Sequence, residues 1–363
     1  MAYRNTYCKI DLDSFIHNYQ LIKNDSQKEV FAVIKANAYG HGDLQIAKTA
    51  DQLGCAYLCV SSLDEALHLR KHGISGGILV LGYVNPEYAM IAASNQITLT
   101  ACSDEFVQAL KPIAGLKVHI KIDTGMNRIG FKRLDDVKKA LQDLDALGIE
   151  VEGIFTHLHS ADTNEASSKQ QLTYFYAVID NLNRKFKWIH SGNSDTTILK
   201  LDQRSNACRL GLALYGIKDI KSDLALKPVL SLYSEIVHVK TIQANESVGY
   251  GATYQALHEE KIATVCLGYA DGFIRKNQGR YVAVNGYPYE IVGRICMDQF
   301  MIRVDKDYPL GTPVEVIGEN TSLAKMSNEL DMIPYEVLTL LSDRIERKFY
   351  RDGKLVEVYD ART

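Results

Sequence analysis

From about residue 29 to 215, short apolar runs alternate with longer stretches in which apolar residues recur every three or four positions. That is the pattern of repeated strand and helix units. The apolar runs are 30–34, 56–60, 78–81, 97–100, 117–122, 151–155, 188–190 and 207–209, with helical periodicity between them, for example over 62–71 and 168–181. Eight such runs with mostly short connections predict an α/β fold, a (β/α)8 TIM-type barrel in preference to an open doubly wound sheet. After Lys227 the texture changes. Runs at 229–239, 263–267, 281–284, 290–292, 301–304 and 314–317 read as strands separated by turn residues, with one helix candidate at 322–328. The C-terminal third is therefore expected to be a separate, mainly β domain. The expected boundaries are 9–225 for the barrel and 226–363 for the β domain, with residues 1–8 as a candidate addition to the latter.

Composition narrows the class of function. The chain has 363 residues, and its 41 basic against 44 acidic side chains leave a formal charge of −3. No basic field is available to gather nucleic acid or anionic lipid, so small-molecule chemistry leads. The seven cysteines (Cys8, Cys55, Cys59, Cys102, Cys208, Cys266 and Cys296) form no Cys-x-x-Cys pair and lie near no histidine at zinc-ligand spacing. They read as reduced core thiols, and no metal site is expected. The first residues lack the apolar stretch of a signal peptide, and no run approaches the roughly 18 apolar residues of a membrane span. A cytoplasmic enzyme without membrane attachment is the expectation.

Lys35 follows directly on the apolar run 30–34. In a parallel barrel this position is the C-terminal rim, where active sites of the architecture sit. An amine desolvated there can lose its proton, as Schiff-base chemistry with an aldehyde requires. Taken alone, an ordinary rim lysine whose ammonium reaches back to water explains the position better.

The wider motif is more specific. Ala32-Val33-Ile34-Lys35-Ala36-Asn37-Ala38-Tyr39-Gly40-His41-Gly42 resembles the cofactor-attachment signature of alanine racemases. The resemblance continues through Lys121-Ile122-Asp123-Thr124-Gly125-Met126-Asn127-Arg128, Thr156-His157, Asn193-Ser194, Arg209-Leu210-Gly211, Gly249-Tyr250-Gly251, Gly268-Tyr269-Ala270-Asp271-Gly272 and Arg294-Ile295-Cys296-Met297-Asp298. It implies a pyridoxal 5'-phosphate (PLP) enzyme of the amino-acid racemase class. The family's fold is an eight-fold barrel followed by a β domain, assembled as a head-to-tail homodimer with shared sites. Its product, D-alanine, is a peptidoglycan precursor.

Racemisation removes the α-proton from one face and returns one to the other, so it needs two bases. The resemblance assigns them to Lys35, which also holds PLP, and to Tyr250 of the partner subunit. A phenol needs neighbouring donors or positive charge to act as a base; His157, linked onward to Arg209, is the implied tuner. Arg209 would face the pyridine nitrogen of PLP, and because a guanidinium keeps its proton, the ring would stay a weak electron sink. Tyr39, Asn193, Ser194 and the backbone N–H groups of Gly211 and Leu212 are implied to hold the cofactor, chiefly at its phosphate. Arg128 and the Met297 N–H of the other subunit would bind the substrate carboxylate. Lys121 matches a lysine that is carbamylated in many members; a plain pairing with Asp123 is the alternative. Tyr269 and Asp298 match the substrate entryway.

One position departs from the pattern. Where the family usually reads Ser-Tyr-Arg-Val-Pro-Arg, this chain reads Ser342-Asp343-Arg344-Ile345-Glu346-Arg347. The smaller, charged Asp343 frees space beside the substrate side chain and can accept a hydrogen bond from a hydroxyl. Alanine is the first expected substrate, serine the rival and a basic amino acid the third, with Asp343 either turned away or paired with Arg344. Three other readings compete. A barrel-fold PLP decarboxylase would put an acidic residue where Arg209 stands. A non-catalytic PLP-carrying protein of the single-barrel kind would lack the β domain. A degenerate member kept as a scaffold would fail to racemise alanine.

Overall fold

The computed structural model describes residues 4–218, 220 and 222–359; the first residues of the 1–8 segment and two positions beside residue 220 lie outside them. The chain divides into two compact units, Ser14–Ala38 with Asp43–Lys227, and Met1–Asp13 with Tyr39–Gly42 and Pro228–Thr363.

The strands, in chain order, begin with β1 (Tyr7–Asp11), which belongs to the second unit. The first unit holds β2 (Glu29–Val33), β3 (Tyr57–Val60), β4 (Ile78–Val80), β5 (Ile97–Ala101), β6 (Lys117–Lys121), β7 (Glu150–Phe155), β8 (Trp188–His190) and β9 (Ala207–Leu210). These eight strands are all parallel, in the order β8-β7-β6-β5-β4-β3-β2-β9. Two hydrogen bonds join the outer pair, Asn206 N to Ile189 O at 3.1 Å and Arg209 N to Gly192 O at 2.8 Å. The sheet is thus a barrel, and each expected strand appears within a residue or so of its expected limits. The runs read as continuous apolar stretches because both faces are covered: every residue of β3, β4, β5 and β9 is buried. The outer helices show the matching one-sided burial, as in Leu134–Ala146, where Val137, Ala140, Leu141 and Leu144 face inward.

One irregularity matters for the interior. Between β6 and β7 the register steps from Val118↔Val151 to His119↔Gly153, so Glu152 is an extra residue on β7. A bulge of this kind redirects a side chain, and Glu152 lies buried in the barrel.

The second unit continues with β10 (Leu230–Ile242), β11 (Ser247–Val248), β12 (Tyr254–Gln255), β13 (Glu260–Val265), β14 (Tyr281–Val284), β15 (Tyr287–Val292), β16 (Phe300–Val304), β17 (Pro313–Ile317), β18 (Glu346–Arg351) and β19 (Lys354–Tyr359). Nine of its strands form one sheet, β13-β16-β15-β14-β17-β10-β1-β18-β19. The long β10 also pairs with β13, which closes six of the strands on themselves. Only β1 with β18 is parallel. The expected helix near 322–328 runs over Leu323–Leu330, capped by Ser322, and a second helix at Pro334–Thr339 follows it. Among the described residues no helix is long and apolar enough to cross a membrane.

Candidate active site

Lys35 sits at the end of β2, and the backbone after it is unusual. Ala36, Asn37, Ala38 and Tyr39 all have φ between 50° and 53°, a turn of left-handed helix. That conformation costs an L-residue roughly 1–2 kcal/mol, and strain of this sort persists only where the surroundings hold it. Here they do: Glu65 Oε1 accepts from Ala36 N at 2.8 Å, and Asn37 Oδ1 accepts from Asp43 N at 2.9 Å. Glu65 is itself held by Ser61 N at 2.7 Å. The turn fixes the direction in which Lys35 leaves the strand. Burial pushes the Lys35 amine below its ordinary value and the charge of Arg128 adds to this, while Glu65 opposes it.

Three further cations gather in the same unit. Arg209, on β9, is buried, and burial lowers it to about 10, so it keeps its charge at neutral pH. Its terminal nitrogens donate to the carbonyls of His190 (2.8 Å), Thr156 (2.7 Å) and Ser191 (3.0 Å) and lie 2.7 Å from His190 Nδ1 and 3.3 Å from His157 Nδ1. Among the described residues no carboxylate lies within salt-bridge reach of it. Lys121 ends β6, only 4 % exposed, with its amine 4.9 Å from the centre of the Phe155 ring. Burial, with the charges of Arg209 and Arg128, lowers it to about 7. Asp123 is not its ion-pair partner, because Asp123 Oδ1 instead accepts from the backbone of Gly125 (3.1 Å) and Asn127 (2.9 Å) and so shapes the loop that presents the exposed Arg128. His157 reports on the whole cluster: burial first, then the positive charges of Arg209, Lys121, Arg128 and Lys35, hold it well below its ordinary value. It is a neutral imidazole beside the Arg209 guanidinium, in surroundings whose positive charge favours an anion.

The end of β9 supplies donors. Ser194 Oγ lies 3.3 Å from Gly211 N and 3.2 Å from Ala213 N. The short 3₁₀ helix Leu212–Tyr215 leaves the Leu212 N–H without an acceptor of its own turn. Asn193 Oδ1 caps the helix Ser194–Ile198, accepting from Thr196 N at 2.9 Å.

The remaining expected residues belong to the second unit. Tyr39 is buried, its ring centre 5.5 Å from that of Tyr335. Tyr250 is 70 % exposed, between Gly249 and Gly251, both at φ 74°. It shares a cleft of about 580 Å³ with Tyr269 and Arg294. Met297 runs against the same segment as Tyr269: its carbonyl accepts from Ala270 N at 3.0 Å, and a Cβ on Gly268 would meet it at 2.2 Å. Asp298 Oδ1 accepts from Arg344 Nη2 at 2.7 Å. Asp343 Oδ1 lies 3.6 Å from Arg347 Nη1, four residues on. Arg347 is fully buried, donating to the carbonyls of Gly40, Leu341, Ser342 and Ile345.

Four polar residues went unassigned in the sequence: Glu65, His119, Glu152 and His190. The last three were detectable as polar interruptions of otherwise apolar strands.

Comparison with known proteins follows the same division of the chain. Residues 10–219 match the family model for the alanine racemase N-terminal domain, and residues 229–349 match the model for its C-terminal domain. Alanine racemase of Streptococcus suis is 41% identical over 362 residues, covering 96% of this chain and 98% of that protein. Alanine racemase of Streptococcus pyogenes serotype M6 is 43% identical, covering 95% and 98%. Among solved structures, alanine racemase from Bacillus anthracis with bound L-Ala-P superposes with a TM-score of 0.94 at 38% identity, covering 99% and 98%. A histidine racemase from Leuconostoc mesenteroides subsp. sake gives 0.90 at 28% identity, covering 97% and 99%.

Proposed function

The chain belongs to the alanine racemase family, and from that premise we propose that it interconverts L- and D-alanine with Lys35 of one chain and Tyr250 of a second copy as the two bases. Membership makes it a PLP-dependent racemase acting on a small amino acid. The observation that carries the assignment of residues is the buried Arg209, held by the carbonyls of His190, Thr156 and Ser191 with His157 Nδ1 3.3 Å from it, in the same barrel whose β2 leads into Lys35.

The residues fit the cofactor. Lys35 is an amine with a lowered proton affinity just ahead of a strained turn, suited to holding an aldehyde covalently. Ser194 and the N–H groups of Gly211 and Leu212 form a donor set for a phosphate, with Tyr39 the next side chain of the same motif. Arg209 has Nε–H left over from the bonds of its terminal nitrogens and would give it to the pyridine nitrogen. When bound, PLP supplies an electron sink that acidifies the α-hydrogen of the attached amino acid. Arg209 keeps that sink weak, because it donates to the nitrogen without protonating it. Lys35 Nζ then exchanges the proton on the D-side and the Tyr250 hydroxyl on the L-side, with His157 orienting the phenol. Arg128 and the Met297 N–H hold the carboxylate, and Tyr269 and Asp298 line the approach.

The shared site requires a homodimer, and the exposure of Tyr250, Tyr269 and Met297 on a lone chain supports that reading. The reading keeps the cytoplasm as the compartment, where the seven free cysteines stay reduced. Lys121 is proposed to carry a carbamate that orients Arg128. Carbamylation needs a neutral amine, which the value of about 7 supplies. With ¹³C-bicarbonate the holoenzyme is expected to show a carbamate resonance that Lys121→Met lacks; a spectrum identical in both proteins overturns this.

The test of the function is a panel of alanine, serine, lysine, arginine and histidine, reading solvent deuterium at Cα. The fastest exchange is expected for alanine, and exchange with none of them would refute the racemase reading. Serine is the second reading, favoured by Asp343, whose side chain is 62 % exposed and can accept a hydrogen bond from a hydroxyl. In Asp343→Tyr the ratio of serine to alanine turnover is expected to fall several-fold, about 1 kcal/mol of discrimination. An unchanged ratio removes Asp343 from substrate choice. That a histidine racemase has this fold makes the panel informative beyond small side chains.

A further inference from the structure

The barrel interior contains polar groups that the proposed mechanism does not use. Arg209 Nη1 lies 2.7 Å from His190 Nδ1, His190 Nε2 lies 2.9 Å from His119 Nδ1, and His119 Nε2 lies 3.6 Å from Glu152 Oε2. Both rings and the carboxylate are buried. Glu152 also accepts from the Tyr57 hydroxyl and pairs with Lys187 at 2.8 Å and Lys117 at 3.4 Å. The line runs from Arg209 to a cleft of about 360 Å³ where Tyr57, Lys117 and Trp188 begin their strands. Aromatic rings sheathe it, with Phe155 stacked on His190 at 4.7 Å and Phe31 at 5.0 Å.

Its direction is set by chemistry. A guanidinium only donates, so His190 Nδ1 must be bare and its proton must sit on Nε2. That N–H needs an acceptor, which makes His119 Nδ1 bare in turn and leaves the His119 proton on Nε2, facing Glu152. The separation there is longer than a good hydrogen bond, and His119 Nε2 has no other partner. A carboxylate at that end favours this polarity by charge. Burial raises Glu152, but the facing His119 ring, hydrogen bonds from Lys187 and Tyr57 and the charge of Lys117 hold it below the usual carboxylate range. Burial lowers both histidines, so neither carries a charge at neutral pH. The backbone is shaped for the arrangement: the bulge turns Glu152 inward, and a Cβ on Gly153 would stand 2.8 Å from the His119 ring.

We propose that Glu152 and His119 are positioning residues for Arg209, acting through His190 to keep one tautomeric direction along the barrel axis. The consequence for catalysis rests on the reading that places Arg209 at the pyridine nitrogen. Reversal of the chain would set an N–H of His190 against an N–H of Arg209 and displace the guanidinium. The cofactor nitrogen could then take a proton from water, strengthening the electron sink and favouring transamination over racemisation.

Two measurements test it. Ring-¹⁵N-histidine NMR of the holoenzyme, assigned by loss of signal in His119→Gln, should show His119 and His190 neutral with the proton on Nε2 from pH 6 to 9. An imidazolium or a proton on Nδ1 in either ring overturns the proposal, whatever the activity. In Glu152→Gln, kcat is expected to fall about tenfold with KM little changed, and transamination events per racemisation to rise. Glu152→Asp, which keeps the charge, should recover much of the loss. Equal loss in both variants with an unaltered partition would mean a structural role only. Absence of racemisation in the unsubstituted protein would refute the proposed function and leave the NMR result standing by itself.

Discussion

Lys35→Ala is expected to lower alanine racemisation by about 10⁴-fold while leaving the fold intact. Lys35 is half-buried, and the turn after it is held by Glu65 and Asn37 rather than by the lysine side chain, so alanine leaves those bonds in place. The loss has two sources. The covalent anchor disappears, so the cofactor is retained only by contacts such as those of Ser194 and Gly211, and the proton exchanger of one face goes with it. Borohydride reduction followed by peptide mass analysis should place the cofactor on the peptide containing Lys35 in the unsubstituted protein and on no peptide in the variant. Thermal unfolding of the two apoproteins should agree within a few degrees. An adduct on another lysine, or activity within tenfold of the parent, would overturn the assignment. Lys121 is the instructive control: it too is a buried lysine with a lowered proton affinity, yet it ends β6 instead of β2 and should take no adduct.

The barrel was legible because its strands are buried on both faces. That turns each into an apolar run bounded by polar residues, a signal independent of long-range contacts. Lys35 stood out because it breaks such a run at its end. The turn 36–39 was not legible. Its left-handed conformation depends on Glu65, 29 positions away, and Ala and Tyr have no intrinsic preference for it. The axial residues escaped notice for a related reason. A histidine within an apolar strand reads as a satisfied core residue, and only the packed barrel brings His119, 71 positions before His190, within 2.9 Å of it. In the second unit, β18 carries charged residues at four of its six positions and β19 is mostly exposed, so no clear hydrophobic alternation marks them. The alternative offered for Lys121, a pairing with Asp123, is not among the ion pairs of the described residues; a carboxylate two residues past a strand end readily caps the following loop, as Asp123 Oδ1 does here.

Mixing two inactive variants should restore activity if the site is shared between copies. Tyr250→Phe alone is expected to cost about 10²- to 10⁴-fold, because the proton of the L-face loses its carrier while Lys35 still serves the other. The substitution removes only a hydroxyl from a ring that is 70 % exposed on its own chain, so folding should not suffer. In a two-fold dimer each site would draw Lys35 from one copy and Tyr250 from the other. A heterodimer of Lys35→Ala and Tyr250→Phe chains then holds one site with both defects and one site with neither. Random reassortment of equal amounts makes about half of the dimers mixed, each with one working site of two, so the mixture should regain about a quarter of the parental rate. Both parents are unfolded and refolded together, so that reassortment does not depend on the rate of subunit exchange. If each site instead used Lys35 and Tyr250 of the same chain, every site in every dimer would carry one defect and the mixture would stay at the level of its parents. A quarter of full activity against almost none separates the two arrangements without any assumption about substrate, since the same test runs on whichever amino acid the panel shows to exchange fastest.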